Sequence, residues 1–462
     1  MSLVFGQPST HGQAWLNNMT TRRGRVLFLA RHFPPSQGSA CVRTWNVAKQ
    51  LARFGWKVTV VTPHHSVWRH VENPLNTERE LDREGIEAIL TDHRWRFLDP
   101  YALKSRNHGW RWVVGGIGRR VARYFGINSG IGWIKEAEKA CRKLTSKDVD
   151  VILASGPPFA SFVLARRLSE RLARPYVLDY RDPWVVHHGG SRSALRATRK
   201  LERELIENSA AVTVISPSLL AGTPAPNSKL HVVTNGFDPE ELDQVKPYEF
   251  NHFAIVYTGV FRPPLTVISP VMAALRRLKE KAPGESTEWK FHYYGPQDDH
   301  VRQEAEKVGV LDKVAVHGRV PRREALSAVR GASLAVVISS VLEPKAEWEK
   351  GIVTGKIFEP LGMHVPILIV GPDGIDLEGI IEKTGLARKV PANDIDGMVS
   401  FIGDVMKGKM PQITQPELYA WPSLIKKVDL LLRSVVDESK TNDGIGPLQG
   451  LNRHSANVQR LV

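Results

Sequence analysis

Cysteine is scarce in this 462-residue chain, with only Cys41 and Cys141. Two thiols cannot staple a fold of this size, so a disulfide scaffold is excluded and a reducing, cytoplasmic setting is expected. Long apolar runs are absent as well, and none approaches the roughly 20 residues that cross a bilayer. Residues 1–24 mix Gln, Thr, His and Asn around Arg22-Arg23 and lack the apolar core of a signal peptide, so a flexible leader is expected there. Metal-ligand spacing is also missing. His187 and His188 are adjacent but have no carboxylate cluster beside them, whereas a metal needs roughly three or four ligands. No metal site is assigned. Acids are outnumbered, 48 against 63 Lys and Arg, leaving a net charge of +15. That balance favours an anionic partner, whether nucleotide, nucleic acid or acidic membrane surface.

What the chain does have is soluble, globular composition: 42% hydrophobic and 24% charged. Its length exceeds one ordinary core, so two domains are expected. "RVLFLA" (25–30) reads as a strand, "RHFPPSQGSA" as a loop, and "CVRTWNVAKQLARFG" as a helix stopped at Gly55. "KVTVVTP" is the next strand, completing a βαβ unit of a doubly wound sheet. Alternation resumes with "DVILAS", a helix over 160–172, "PYVLDYRD", a charged helix over 193–207 and "AVTVIS". A second series starts with "FAIVYTG" and continues through "WKFHYYG", "KVAVHG" and "LAVVISS". The expected organisation is a leader over 1–24, Rossmann-like domains over 25–245 and 246–413 facing across a cleft, a helix over 414–437 returning to the first domain, and a disordered tail over 438–462.

Ligands of such sheets sit beyond the carboxyl ends of the strands. Candidate residues are therefore sought in "HFPPSQGSA", "YRDPW", "TGVFR", "YYGPQ", "HGRVP" and "GIVTGK". The backbone N–H groups of Gly38 and Ser39 could hold an anion at a helix start, or simply form a βα turn. Asp182 could accept from substrate hydroxyls or steer a proton; equally it could cap a helix or pair with Arg181. Gly259 lets backbone approach a ligand, and Arg262 beyond it offers a planar fork suited to phosphate. In "GIVTGKIFEPLGMHVPILIVG", Lys356 and Glu359 are three residues apart and would share a helical face, followed by a core strand within 365–370. They could be an exposed ion pair of little consequence. Alternatively, Lys356 at a helix start would complete a pyrophosphate clamp with Arg262.

The stretch Arg94 to Tyr124 is different in kind. Eight basic residues (94, 96, 104, 106, 111, 119, 120 and 123) face one acid, Asp99, among Trp95, Trp110, Trp112 and Tyr124. Basic and aromatic residues so mixed suit an anionic bilayer interface, or single-stranded nucleic acid. They would also suit a solvated basic helix with its Trp residues turned inward.

"FPPSQGSACVRTWNVAKQLARFGWKVTVVT", "VLDYRDPW", "VTVISPSL", "VVTNGFD", "HGRVPRREALSAV" and "GIVTGKIFEPLGMHVPIL" together resemble the retaining GT-B glycosyltransferases of family four. The resemblance spans about residues 25–435 and is nearest to bacterial aminosugar transferases of surface-polysaccharide synthesis. It implies an α/β GT-B fold of two Rossmann-like domains, the first holding the acceptor and the second the nucleotide-sugar donor. It also implies retention at the anomeric carbon, no bound metal and no cofactor besides the donor, expected to be a UDP-sugar. By position, Glu359 matches a ribose-gripping glutamate, Lys356 and Arg262 match cations near the diphosphate, and Asp182 lies near the reacting sugar. Gly38, Ser39, Gly259, Gly318, Val320 and Ile357 complete the expected donor set. The sequence departs from the pattern at Gly351, where many relatives carry a second glutamate, and at Arg181, where a histidine is usual. A second cation is missing from "PPLTV". Pro360 should disturb the helix, and His364 takes a position suited to positive φ.

The resemblance implies sugar transfer to a sugar or lipid-linked acceptor in surface-polysaccharide or glycoconjugate synthesis, at the cytoplasmic face of an anionic membrane and without nucleic acid. Two other readings compete. A nucleotide-sugar epimerase of the same fold would need acid–base residues and no acceptor surface. A basic nucleic-acid-binding protein would explain the charge, but no motif for one is present.

Overall fold

The computed structural model describes residues 24–36, 38–67, 74–92, 130–184, 192–223, 226–281, 288–385, 387–409 and 414–443. The segment 94–124 and the pair His187-His188 lie outside them. Among the described residues, thirteen strands form two sheets. In the first, β1 (Gly24–Leu29), β2 (Trp56–Pro63), β3 (Glu87–Thr91), β4 (Val151–Gly156), β5 (Tyr176–Tyr180), β6 (Ala211–Val214) and β7 (Leu230–Val232) lie in the order 3-2-1-4-5-6-7. The second holds β8 (Phe253–Thr258), β9 (Trp289–Tyr294), β10 (Val314–Val316), β11 (Leu334–Ile338), β12 (Ile367–Val370) and β13 (Ala387–Val390), in the order 10-9-8-11-12-13.

Every paired strand is parallel to its neighbour, as strand–helix alternation demands. Central strand β11, covered on both faces, is apolar throughout, and its "LAVVI" is buried at every position. Strand order reverses between β1 and β4 in one sheet and between β8 and β11 in the other. Those two switch points are where such sheets leave a crevice at their carboxyl edge.

The chain divides into two compact units, one of residues 1–214, 223–233 and 425–462, the other of 215–222 and 234–424. The change of unit thus falls near Thr234, ahead of the expected boundary at 245, because the "NGF" turn already packs with the second unit. There Phe237 N–H donates to the Tyr419 carbonyl at 3.1 Å. The last helix, Trp421–Asp443, continues past the expected start of a disordered tail at 438. From Ile425 onward it belongs to the first unit, where Asp429 accepts the indole N–H of Trp56 at 2.8 Å.

The first unit is pinned by a buried ion pair. Arg43, on helix Ser39–Arg53, grips Asp179 of β5 at 2.6 and 3.1 Å and donates to the Val233 carbonyl at 2.9 Å. Asp179 also accepts from Ser155 and Thr213, each at 2.8 Å. Burial would raise this carboxyl, but Arg43 and the two hydroxyls hold it below the usual carboxylate range.

Candidate functional site

The second unit's site grows from the end of β8. Gly259 follows that strand with φ +115°, a conformation that favours glycine. A Cβ there would lie 2.6 Å from Cε and 2.8 Å from Nζ of Lys356, so the glycine is also what lets the lysine lie across the loop. Lys356 Nζ donates to the Tyr257 hydroxyl at 2.8 Å and to the Val260 carbonyl at 3.3 Å, and sits 4.6 Å from the Tyr257 ring centre. Burial, and then the charge of Arg262, push this lysine down to about 8. Arg262 is exposed at the same loop, its N–H bonded to Thr266 Oγ1 at 2.7 Å and to the Thr266 carbonyl at 3.1 Å across a tight turn through Pro263-Pro264. Two cations therefore meet at the carboxyl end of β8, beside the switch point.

Lys356 and Glu359 do not act as an ion pair on one helical face. Residues Gly355–Ile357 form a single 3-10 turn in which the Lys356 N–H is capped by the Thr354 hydroxyl, and the helix proper is only Phe358–Gly362. Pro360 lies inside that short helix, and His364 closes it with φ +61°. So short an element carries little macrodipole, and the burden of neutralising an anion falls on the two side-chain cations. Glu359 turns elsewhere, to Arg322 at 3.1 Å, while Arg322 also makes a two-pronged contact to Glu241 at 2.7 and 3.0 Å. Burial acts to lower the Arg322 pKa, but Glu359 and Glu241 together raise it. Arg322 and Glu241 were not anticipated; the second arginine of "HGRVPRREALSAV" was the only sign of them.

The other expected donor residues divide. Gly318 has φ +70° after β10, and its carbonyl accepts from Gly295 at 2.9 Å, which ties the β9 and β10 loops together. Val320 packs against the small core of Ala254, Val256, Tyr294, Ala328 and Val329. The Ile357 side chain, 1% exposed, is buried among Val353, Phe358 and Leu361, so only its backbone is available to a ligand. Gly351 cannot host the glutamate of many relatives with this backbone. A Cβ there would lie 2.4 Å from Leu219 N, and Ser216 Oγ already donates to the Gly351 carbonyl at 2.6 Å.

Gly38, Ser39 and Asp182 belong to the first unit. Gly38 is exposed with φ +129° and precedes helix Ser39–Arg53, whose first turn holds no acid. Asp182 is exposed just beyond β5, while Arg181 is buried and its guanidinium donates to the carbonyls of Gly156 and Pro157. Arg181 thus holds the β4 and β5 ends together. Among the described residues no group of three or more His, Cys, Asp or Glu is arranged to hold a metal. Among them, too, no helix is long and apolar enough to cross a membrane.

Residues 39–236 match the family described as Glycosyl transferase 4-like domain. The chain's solved neighbours extend the likeness over both units, with sequence identities that speak to fold alone. A sucrose-phosphate synthase from Thermosynechococcus elongatus aligns with TM-score 0.53 at 14% identity, covering 91% of this chain and 98% of that one. Anabaena Alr3699/HepE, solved with UDP and glucose, aligns at 0.52 and 14% identity over 91% and 99%. A Listeria monocytogenes protein provisionally described as a UDP-N-acetylglucosamine 2-epimerase aligns at 0.50 and 13% identity over 90% and 97%. The chain therefore has the GT-B fold of two Rossmann-like units. No curated sequence matches it.

Proposed function

We propose that this chain moves a sugar from a nucleoside-diphosphate donor, a UDP-sugar being the expected one, to an acceptor hydroxyl. The reading is supported most by one observation: Lys356 lies over Gly259 beside Arg262, at the carboxyl edge where β8 and β11 part. Two cations there suit a diphosphate, and Glu359, already held by Arg322, suits ribose hydroxyls. The bond from the anomeric carbon to the donor phosphate oxygen breaks, and the acceptor oxygen bonds that carbon on the same face. The acceptor proton leaves on the departing diphosphate. Lys356 and Arg262 stabilise the charge that develops on that leaving group, so no divalent metal is required. Asp182, at the β5 end of the first unit, is assigned to the reacting sugar or the acceptor hydroxyl.

The acceptor is a sugar or lipid-linked molecule of surface-polysaccharide or glycoconjugate synthesis, approached at the cytoplasmic face of an anionic membrane. This part of the reading rests on sequence alone, on the basic, Trp-rich segment 94–124. Anionic but not neutral liposomes should pellet the protein, and Glu at positions 119, 120 and 123 should release it; partitioning indifferent to both would rule the surface out.

Thermal unfolding with UDP-, GDP-, ADP- and dTDP-sugars, each with EDTA, tests the donor assignment. One of them should raise the melting temperature without added metal, and no shift from any would remove the donor site. The epimerase is the second reading, since a protein described as one shares the fold. Incubated with donor alone, an epimerase yields a new nucleotide sugar, whereas a transferase returns the donor unchanged.

A further inference from the structure

Gln297 spends its whole side-chain amide on one neighbour. Its Oε1 accepts from the Phe261 N–H at 2.6 Å, and its Nε2 donates to the Phe261 carbonyl at 3.2 Å. Phe261 lies beyond the end of β8, where no sheet ladder pairs those two groups. The Gln297 N–H in turn donates to the Tyr293 hydroxyl at 3.2 Å, and that hydroxyl donates to the Gly259 carbonyl at 3.0 Å. Gly295 makes the approach possible, because a Cβ there would lie 2.2 Å from both the Gly259 carbonyl oxygen and the Tyr293 hydroxyl. The Phe261 ring is fixed too, 2% exposed and stacked on Tyr257 at 4.8 Å. Both ends of the loop Gly259–Phe261 are therefore held from the β9 side, while the next residue, Arg262, is exposed.

We infer that Gln297 is a positioning residue for the donor diphosphate: by clamping Phe261 it aims Arg262 at the anion that Lys356 also meets. The inference rests on the donor reading above. An arginine loses much side-chain freedom when it grips phosphate, and a backbone fixed beforehand lowers that ordering cost. A neutral amide is the side chain that can serve an N–H and a carbonyl at once; a carboxylate could serve only the first. The amide touches no anion itself, so its effect on binding must pass through Arg262.

Inorganic pyrophosphate is the probe, since it presents the diphosphate without a base, and calorimetric titration of the full chain is the measurement. Gln297→Met keeps the bulk and deletes both hydrogen bonds. It should weaken pyrophosphate by about fivefold or more, and in an Arg262→Ala background by less than about twofold, as coupled residues do. A purely structural role would weaken both backgrounds alike, and that result, or an unchanged affinity, overturns the inference while leaving the donor site standing. Gln297→Asn, too short for both bonds, should match the Met variant; wild-type affinity in it also counts against the clamp. A wild-type chain that binds no pyrophosphate would fell the donor reading and the inference with it.

Discussion

The ammonium of Lys356 lies 2.8 Å from the Tyr257 hydroxyl and 4.6 Å from the centre of its ring. Neither contact replaces the water lost on burial, so burial and then Arg262 bring the lysine from 10.5 to about 8. Between those two pH values the unfolded chain binds more protons here than the folded one, so this site's contribution to stability improves as pH rises through that window. Below it the lysine is charged in both states and the fold carries the full cost. A diphosphate favours the charged form. Its affinity should be level below pH 8, fall above it, and be accompanied by proton uptake near pH 8. Titrations in two buffers of different ionisation heat measure the uptake; none at that pH would show the lysine remote from the ligand.

The same cost predicts a trade between stability and binding. Lys356→Met removes a charge that the fold disfavours, so at neutral pH it should stabilise the chain by on the order of 2 kcal/mol. Nucleoside-diphosphate binding should be lost, with free-nucleoside binding little changed. Thermal melting and calorimetry read both effects. Equal loss for diphosphate and nucleoside would make Lys356 structural.

Gly259→Ala should also weaken binding, but at a cost in stability. Its φ of +115° and the 2.6 Å approach to Lys356 mean that a methyl group strains the loop and evicts the lysine from Tyr257. A stability loss of about 1–2 kcal/mol is expected, with at least tenfold weaker diphosphate binding. Unchanged binding in a folded variant would separate Gly259 from the site.

Glu359→Gln keeps size and shape but removes the charge that Arg322 faces at 3.1 Å. Donor affinity should fall about tenfold, the scale of a lost charge-assisted bond, while a 2′,3′-dideoxy analogue should bind both forms equally. Equal weakening of donor and analogue would show that Glu359 meets something other than ribose.

In the first unit, Asp179→Asn would leave the guanidinium of Arg43 buried without its counter-charge. Breaking a buried pair in this way costs roughly 3–5 kcal/mol. Urea unfolding measures it, and a loss below 1 kcal/mol would mean that the hydroxyls of Ser155 and Thr213 carry the network.

The inner strands of both sheets were readable because parallel, doubly covered strands are continuous apolar runs, as "LAVVIS" and "PILIVG" show, whereas the edge strands β3, β7 and β13, half-exposed and short, went unread. The cations of the candidate site were readable too, since Gly259, Arg262 and Lys356 fall just after strand or turn signals. What local sequence could not reveal was partnership. Lys356 and Glu359 look like a pair at helical spacing, yet one reaches back across 99 positions to Tyr257 and the other across 37 to Arg322. Gln297 ends the candidate loop "YYGPQ", but nothing local marks it as a clamp because its partner, Phe261, is 36 positions away. The switch near Thr234 was hidden for a similar reason: the partners of Phe237, Tyr419 and Trp421, lie far downstream.

The central claim is geometric, so a structure with bound nucleotide tests it most directly. A crystal of the chain grown with UDP and no divalent metal should show the diphosphate touching Lys356 Nζ and the Arg262 guanidinium, with the ribose hydroxyls on Glu359. UDP bound with its diphosphate away from both cations, or against the first unit alone, would contradict the account.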